Sequence, residues 1–73
     1  MLIFKEIYDR LIELQKEVET ELKKKGLKLD PTQGNSWEAA AYIYERNELG
    51  HEYSAEQWVK ETYENYPEDF IEA

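Results

Sequence analysis

Seventy-three residues suffice for one domain and leave no room for a second core. The absence of cysteine excludes disulfide staples, thiolate zinc sites and thiol nucleophiles together. The net charge of −8 is unevenly spread: residues 1–28 carry seven basic and six acidic groups, whereas residues 29–73 set eleven acids against Arg46 and Lys60 alone. A field of that sign disfavours direct binding to nucleic-acid phosphates or to an anionic membrane surface, and it attracts a basic protein surface.

Phe4, Ile7, Leu11, Leu14, Val18 and Leu22 recur three or four residues apart, with Ile3, Tyr8 and Ile12 widening the stripe. This spacing predicts an amphipathic helix of about 22 residues, closed by a left-handed Gly26. Lys23, Lys24 and Lys25 fall in its last turn, where the helix dipole favours cations. The opening residues turn charged at Lys5, too soon for a signal-peptide core, and no apolar run approaches the roughly 18 residues a membrane span needs. A soluble, cytoplasmic protein is the expectation.

"LKLDPTQGN" follows. Pro31 fixes its own φ and pushes Asp30 out of helical space, so Asp30-Pro31 with Gly34 downstream reads as a turn, with Leu27 and Leu29 tucked back on the core. A short strand at these leucines would need a partner, for which "HEY" at 51–53 is the candidate. Asn35 or Ser36 then caps a second helix, since Asn35 with Glu38 makes an N-terminal capping pattern. Its expected buried face is Trp37, Ala40, Ala41 and Tyr44, with Ile43 beside them, and Gly50 ends it. Ser54 with Gln57 opens a third helix that sets Trp58, Val59, Thr62, Tyr63 and Tyr66 on one side.

Pro67 lacks an N–H and its ring strikes the carbonyl four residues back, so the third helix should stop near Asn65. Pro67 can instead begin a fresh turn in which Glu68 and Asp69 suit the dipole and Phe70 and Ile71 fold back on the bundle. Tyr63 and Phe70 are then expected in the core and Tyr66 on the surface. The architecture implied is all-α, a three-helix bundle with one long and two shorter helices and a short C-terminal turn.

Candidate chemistry is sparse. Glu48, His51 and Glu52 could offer a metal one imidazole and two carboxylates, but they straddle a glycine-containing turn, and a solvated loop histidine is the simpler reading. Ser36 and Ser54 are accounted for as helix caps, and Gly26, Gly34 and Gly50 stand alone at turns, so neither a nucleophilic triad nor a phosphate loop is in view. Helix 2, a turn and helix 3 mimic the order of a helix-turn-helix. The would-be recognition helix, however, sets Glu56, Glu61 and Glu64 against Lys60 alone and would be repelled by the major groove. No catalytic residue, cofactor or metal is expected, and an enzyme is not.

Interaction remains. Glu61, Glu64, Glu68 and Glu72 recur every three to four residues with Asp69 beside them, and helix 2 adds Glu38, Glu45 and Glu48. On a helical face such neighbours stand about 5–6 Å apart, comparable with successive phosphates on a nucleic-acid strand. Eight of the ten aromatic residues lie in the same acidic part, too many for two short helices and a tail to bury. Tyr66, at the break in the chain, is the candidate aromatic anchor. The expected partner-binding set is Glu45, Glu48, Glu61, Glu64, Tyr66, Glu68, Asp69 and Glu72.

In size, acidity and lack of cysteine the chain resembles phage and mobile-element inhibitors of nucleic-acid-binding machinery, including anti-CRISPR and anti-restriction proteins; the likeness is one of composition and not of motif. It implies a non-enzymatic protein that occupies a basic, nucleic-acid-binding surface of a partner. One alternative is a self-assembling module in which the stripe of helix 1 forms a homodimer and Lys23, Lys24, Lys25 and Lys28 meet a neighbour's acids. Another is an antitoxin or immunity protein that masks a basic toxin.

Overall fold

The computed structural model describes residues 2–73, with the side chains of Leu2 and Ile3 outside the description, so that Ile3 of the widened stripe and Met1 lie beyond it. Three helices form the body: α1 (Leu2–Lys24), α2 (Ser36–Glu48) and α3 (Ala55–Asn65). A single 3-10 turn, Pro67–Asp69, follows α3. Two three-residue strands, β1 (Leu27–Leu29) and β2 (Phe70–Glu72), complete the chain. The fold is a compact three-helix bundle, as the periodicity predicts.

Each helix is bounded by the residues the sequence marks. Gly26, at φ 68°, takes the left-handed position after α1, and Gly50, at φ 93°, does so after α2. Asn35 caps α2, its Oδ1 accepting from the Glu38 N–H at 2.9 Å while its own amide donates to the Glu38 carboxylate at 3.1 Å. The Ser54 hydroxyl accepts from the Gln57 N–H at 3.1 Å and caps α3. Ser36 is no cap: it accepts from Gln15 Nε2 and donates to Glu19, each at 3.0 Å, tying the start of α2 to α1.

The core runs along α1 through Leu14, Val18 and Leu22, which meet Ala39, Ala40 and Ile43 of α2, Ala55 and Val59 of α3, and Phe70. α1 packs against both shorter helices more extensively than they pack against each other. A helix of 23 residues is about 35 Å long, against about 20 and 17 Å for α2 and α3, so α1 overshoots its neighbours. Phe4, expected in the stripe, is accordingly 76% exposed, and Tyr8 is 57% exposed. Ile7, Leu11 and Ile12 are half-buried.

α2 is rotated from its expected orientation. Ala39, Ala40 and Ile43 face the core, Tyr44 is half-buried, and Trp37 and Ala41 lie on the exposed side. Two adjacent alanines let the α2 backbone approach α1 closely, and bulky Trp37 is left to lie against Tyr8 with ring centroids 5.6 Å apart. On α3, Val59 is buried but Trp58 and Thr62 are half-buried. Tyr63, expected in the core, is 43% exposed and covers Phe70 edge-on at 5.3 Å.

The strand at the leucines exists, and its partner is not "HEY" but the chain end. β1 pairs antiparallel with β2 in the register Leu27 to Glu72, Lys28 to Ile71 and Leu29 to Phe70. Asp30 N–H donates to the Asp69 carbonyl and Ala73 N–H to the Gly26 carbonyl, extending the ladder at both ends. The ribbon swings Phe70 inward to the core and leaves Ile71 largely outside. Among the described residues no helix is long and apolar enough to cross a membrane.

Candidate interaction surface

The eleven acids beyond residue 28 are spread over four elements and the loops between them, and all but Asp30 and Asp69 are exposed. Every ion pair among the described residues lies within α1: Lys5 with Asp9 at 3.5 Å, Arg10 with Glu13 at 3.3 Å and Glu17 at 3.4 Å, and Lys24 with Glu21 at 3.1 Å. The acids of the rest of the chain have no such neighbour among the described residues. The two cations of that part, Arg46 and Lys60, act on Glu61 only at longer range.

The row of acids expected at the C-terminal end is divided among three elements. Glu61 and Glu64 sit on α3, Glu68 and Asp69 in the turn after Pro67, and Glu72 on β2 opposite Leu27. Glu64, Glu68 and Glu72 point to solvent. Glu45 and Glu48 lie in the last turns of α2, and Glu48 opens onto a cleft between α1 and the α2–α3 turn beside Arg10, Glu17 and Glu52. Glu61 and Tyr66 are brought together, on one groove between α2 and α3, and Asp69 lines the adjoining cleft.

Glu61 is the most highly organised of the acids. Its Oε2 accepts from Gln57 Nε2 at 2.8 Å and its Oε1 from the Tyr53 hydroxyl at 3.0 Å. These bonds, Gln57's foremost and Tyr53's next, hold its carboxyl below the usual carboxylate range. On the other side of the bond, burial first and then the Glu61 carboxylate push Tyr53 up to about 12. Asn65 fixes the helix beneath by donating to the Glu61 carbonyl at 2.8 Å. Asp30 is also held low, by the Thr32 backbone N–H first and then its hydroxyl, and that pair closes the turn at Pro31.

Arg46 completes the cluster. Its guanidinium carbon lies 5.7 Å from the Tyr42 ring centroid and 5.4 Å from that of Tyr53, and the two rings meet edge-on at 5.7 Å. Its buried Nε has no hydrogen-bond partner among the described residues. The sequence reading missed this cluster. The Tyr42–Arg46 spacing of four was a visible sign, but nothing local foretold that Tyr53 would cross the α2–α3 turn to reach Glu61.

His51 is exposed in the loop after Gly50, and among the described residues no group of three histidines or acids is placed to hold a metal. No family model, curated protein or solved structure matches this chain.

Proposed function

We propose that this chain is a non-enzymatic binding protein that occupies a basic surface of a partner, one that in the partner's own work holds nucleic acid. The observation that carries the reading is that no acid from Glu38 to Glu72 has an ion-pair partner among the described residues, whereas four of the six acids of α1 do. Exposed like charges left without counter-charges repel one another and destabilise a small fold, and a cationic partner relieves that repulsion. The reading places the chain with inhibitors of phage or mobile-element type, such as anti-CRISPR and anti-restriction proteins, acting in the cytoplasm. An antitoxin or immunity protein against a basic toxin would work by the same contact.

The test is binding kinetics with a partner captured from host lysate, at two salt concentrations. Charge complementarity acts chiefly on encounter, so the association rate should fall as salt rises. Replacing Glu45, Glu48, Glu64 and Glu68 together by Gln should slow association while leaving the helical spectrum intact. Binding that ignores both salt and these replacements refutes the proposal.

A second reading rests on the overshoot of α1, where Phe4 and Tyr8 stand in solvent. Two copies joined through this segment would form a homodimer. Sedimentation over a hundredfold concentration range decides it: a mass fixed at 8.8 kDa removes the dimer.

A further inference from the structure

Because α2 and α3 are both braced on α1 and touch each other only lightly, a groove of about 330 Å³ stays open between them. Its walls are aromatic: Tyr42 from α2, Tyr53 from the connection, Trp58 from α3 and Tyr66 from the end of α3. Its one charged group is Glu61. Tyr42 and Tyr66 are exposed, Tyr53 and Trp58 half-buried, so ring surface and carboxylate are both within reach of a side chain entering from solvent.

The chemistry of this lining selects its ligand. Each Glu61 oxygen already accepts one hydrogen bond, which fixes the plane of the carboxylate and leaves each oxygen a further lone pair. A fixed carboxylate plane suits a planar fork of donors, and aromatic walls suit a flat, weakly hydrated cation. An ammonium matches neither feature as well, being compact and strongly hydrated. The fold already seats one guanidinium on these rings, that of Arg46 over Tyr42 and Tyr53, and Arg46 does not itself line the groove.

We propose that the groove between α2 and α3 is a guanidinium site, which takes one arginine side chain of the basic partner among Tyr42, Tyr53, Trp58 and Tyr66 and pairs it with Glu61. This rests on the reading of a basic partner given above and adds a point of chemical selection to it. The acids spread over the surface attract any cation; the groove discriminates arginine from lysine.

The experiment uses two blocked peptides of equal charge, hexa-arginine and hexa-lysine, titrated into the isotopically labelled chain. The readouts are affinity and the Trp58 indole N–H resonance. Hexa-arginine should bind about tenfold tighter than hexa-lysine, in line with a cation–π contact plus a forked pair at a partly exposed site. It should shift the Trp58 indole, and hexa-lysine should not. Glu61→Gln and, independently, Tyr66→Ala should each remove most of the preference for arginine and change lysine affinity by no more than about twofold. Replacing Glu45 and Glu48 by Gln, away from the groove, should weaken both peptides alike. Helical spectra of all variants guard against loss of fold, and the exposed Tyr66 is the safer of the two groove positions. Equal affinities, or an arginine preference that survives both groove variants, overturn the guanidinium site and leave the acidic-surface reading standing. If neither peptide binds at low salt, both fall.

Discussion

Along α1 four of the six acids have cationic neighbours: Asp9 lies beside Lys5, Glu13 and Glu17 beside Arg10, Glu21 beside Lys24. From Glu38 onward the acids, Asp69 apart, are exposed and none has an ion-pair partner among the described residues; that part of the chain holds only an arginine set against two tyrosine rings and a single lysine. The same residue type is therefore in two electrostatic situations within one small bundle. Exposed helix pairs of the first kind contribute about 0.3–0.5 kcal/mol each and make α1 nearly neutral. The second situation gives no such return, so the contrast teaches that the acids beyond Glu38 add surface charge without adding ion-pair stability.

The largest expected effect tests whether the two regions form one cooperative unit. Leu14, 1% exposed, sits where α1 meets the others, and Leu14→Ala should cost about 2–5 kcal/mol. That is enough to unfold much of so small a domain. Urea melts followed by helicity and by tryptophan fluorescence should shift together; separate shifts would mean that α1 and the acidic part melt apart. Phe4→Ala, on the same helix but in solvent, should stay within about 0.5 kcal/mol of the parent.

Next come the caps of the acidic region. Asn35→Ala and Ser54→Ala should each lower stability by about 1 kcal/mol, read from the same melts. Ser36→Ala removes a bridge to α1 rather than a cap, and its loss should be smaller.

Tyr53→Phe removes one of the two side-chain partners that hold the Glu61 carboxylate. Losing the bond to Glu61 should cost about 0.5–1.5 kcal/mol at neutral pH. The folded state holds the Tyr53 proton more tightly than the unfolded chain does. Its contribution is therefore full below the ordinary tyrosine value of 10.0 and is lost as pH rises towards about 12. The stability gap between parent and Tyr53→Phe should close over that interval, and a gap independent of pH would show that the hydroxyl bond does not contribute.

The smallest effects bear most directly on the comparison. Replacing Glu45, Glu48, Glu64 and Glu68 by Gln should change stability by less than about 0.5 kcal/mol per position, with relief of repulsion favouring an increase. Added salt should raise the melting temperature of the parent more than that of this variant. Replacing Lys5 and Asp9 together by Gln should leave the salt dependence as it was. A parent indifferent to salt would erase the distinction between the two regions.

What the sequence made readable was whatever is decided within a few residues. The stripe from Leu14 to Leu22, the caps at Asn35 and Ser54, the left-handed Gly26 and the break at Pro67 all follow from spacing and backbone chemistry, and all are present. What failed depended on contacts distant in sequence. Phe4 continues the apolar period, but periodicity does not reveal that no element reaches far enough to cover it. Trp37 lost its place to Ala39 because two small side chains allow closer helix packing than one large one. The ribbon partner of Leu27–Leu29 lies at the other end of the chain, where three residues carry no pattern of their own. In the candidate surface the acidic excess was plain, whereas the seating of Glu61 by Tyr53 and Gln57 needed the α2–α3 turn to be folded first.

The ribbon also carries an expectation about the order of events in folding. It joins residues roughly forty positions apart, so closing it sacrifices chain freedom that grows with the logarithm of loop length, for only a few hydrogen bonds in return. Helices that need only local contacts can form and dock on α1 before that closure. The ribbon is then expected to close last, against α1 and α3, and to be the first part of the folded molecule to open. Phe70 is the part of the ribbon that reaches the core. Amide exchange should therefore be faster at Lys28 and Ile71 than at Val18, with momentary release of Phe70 as the opening event.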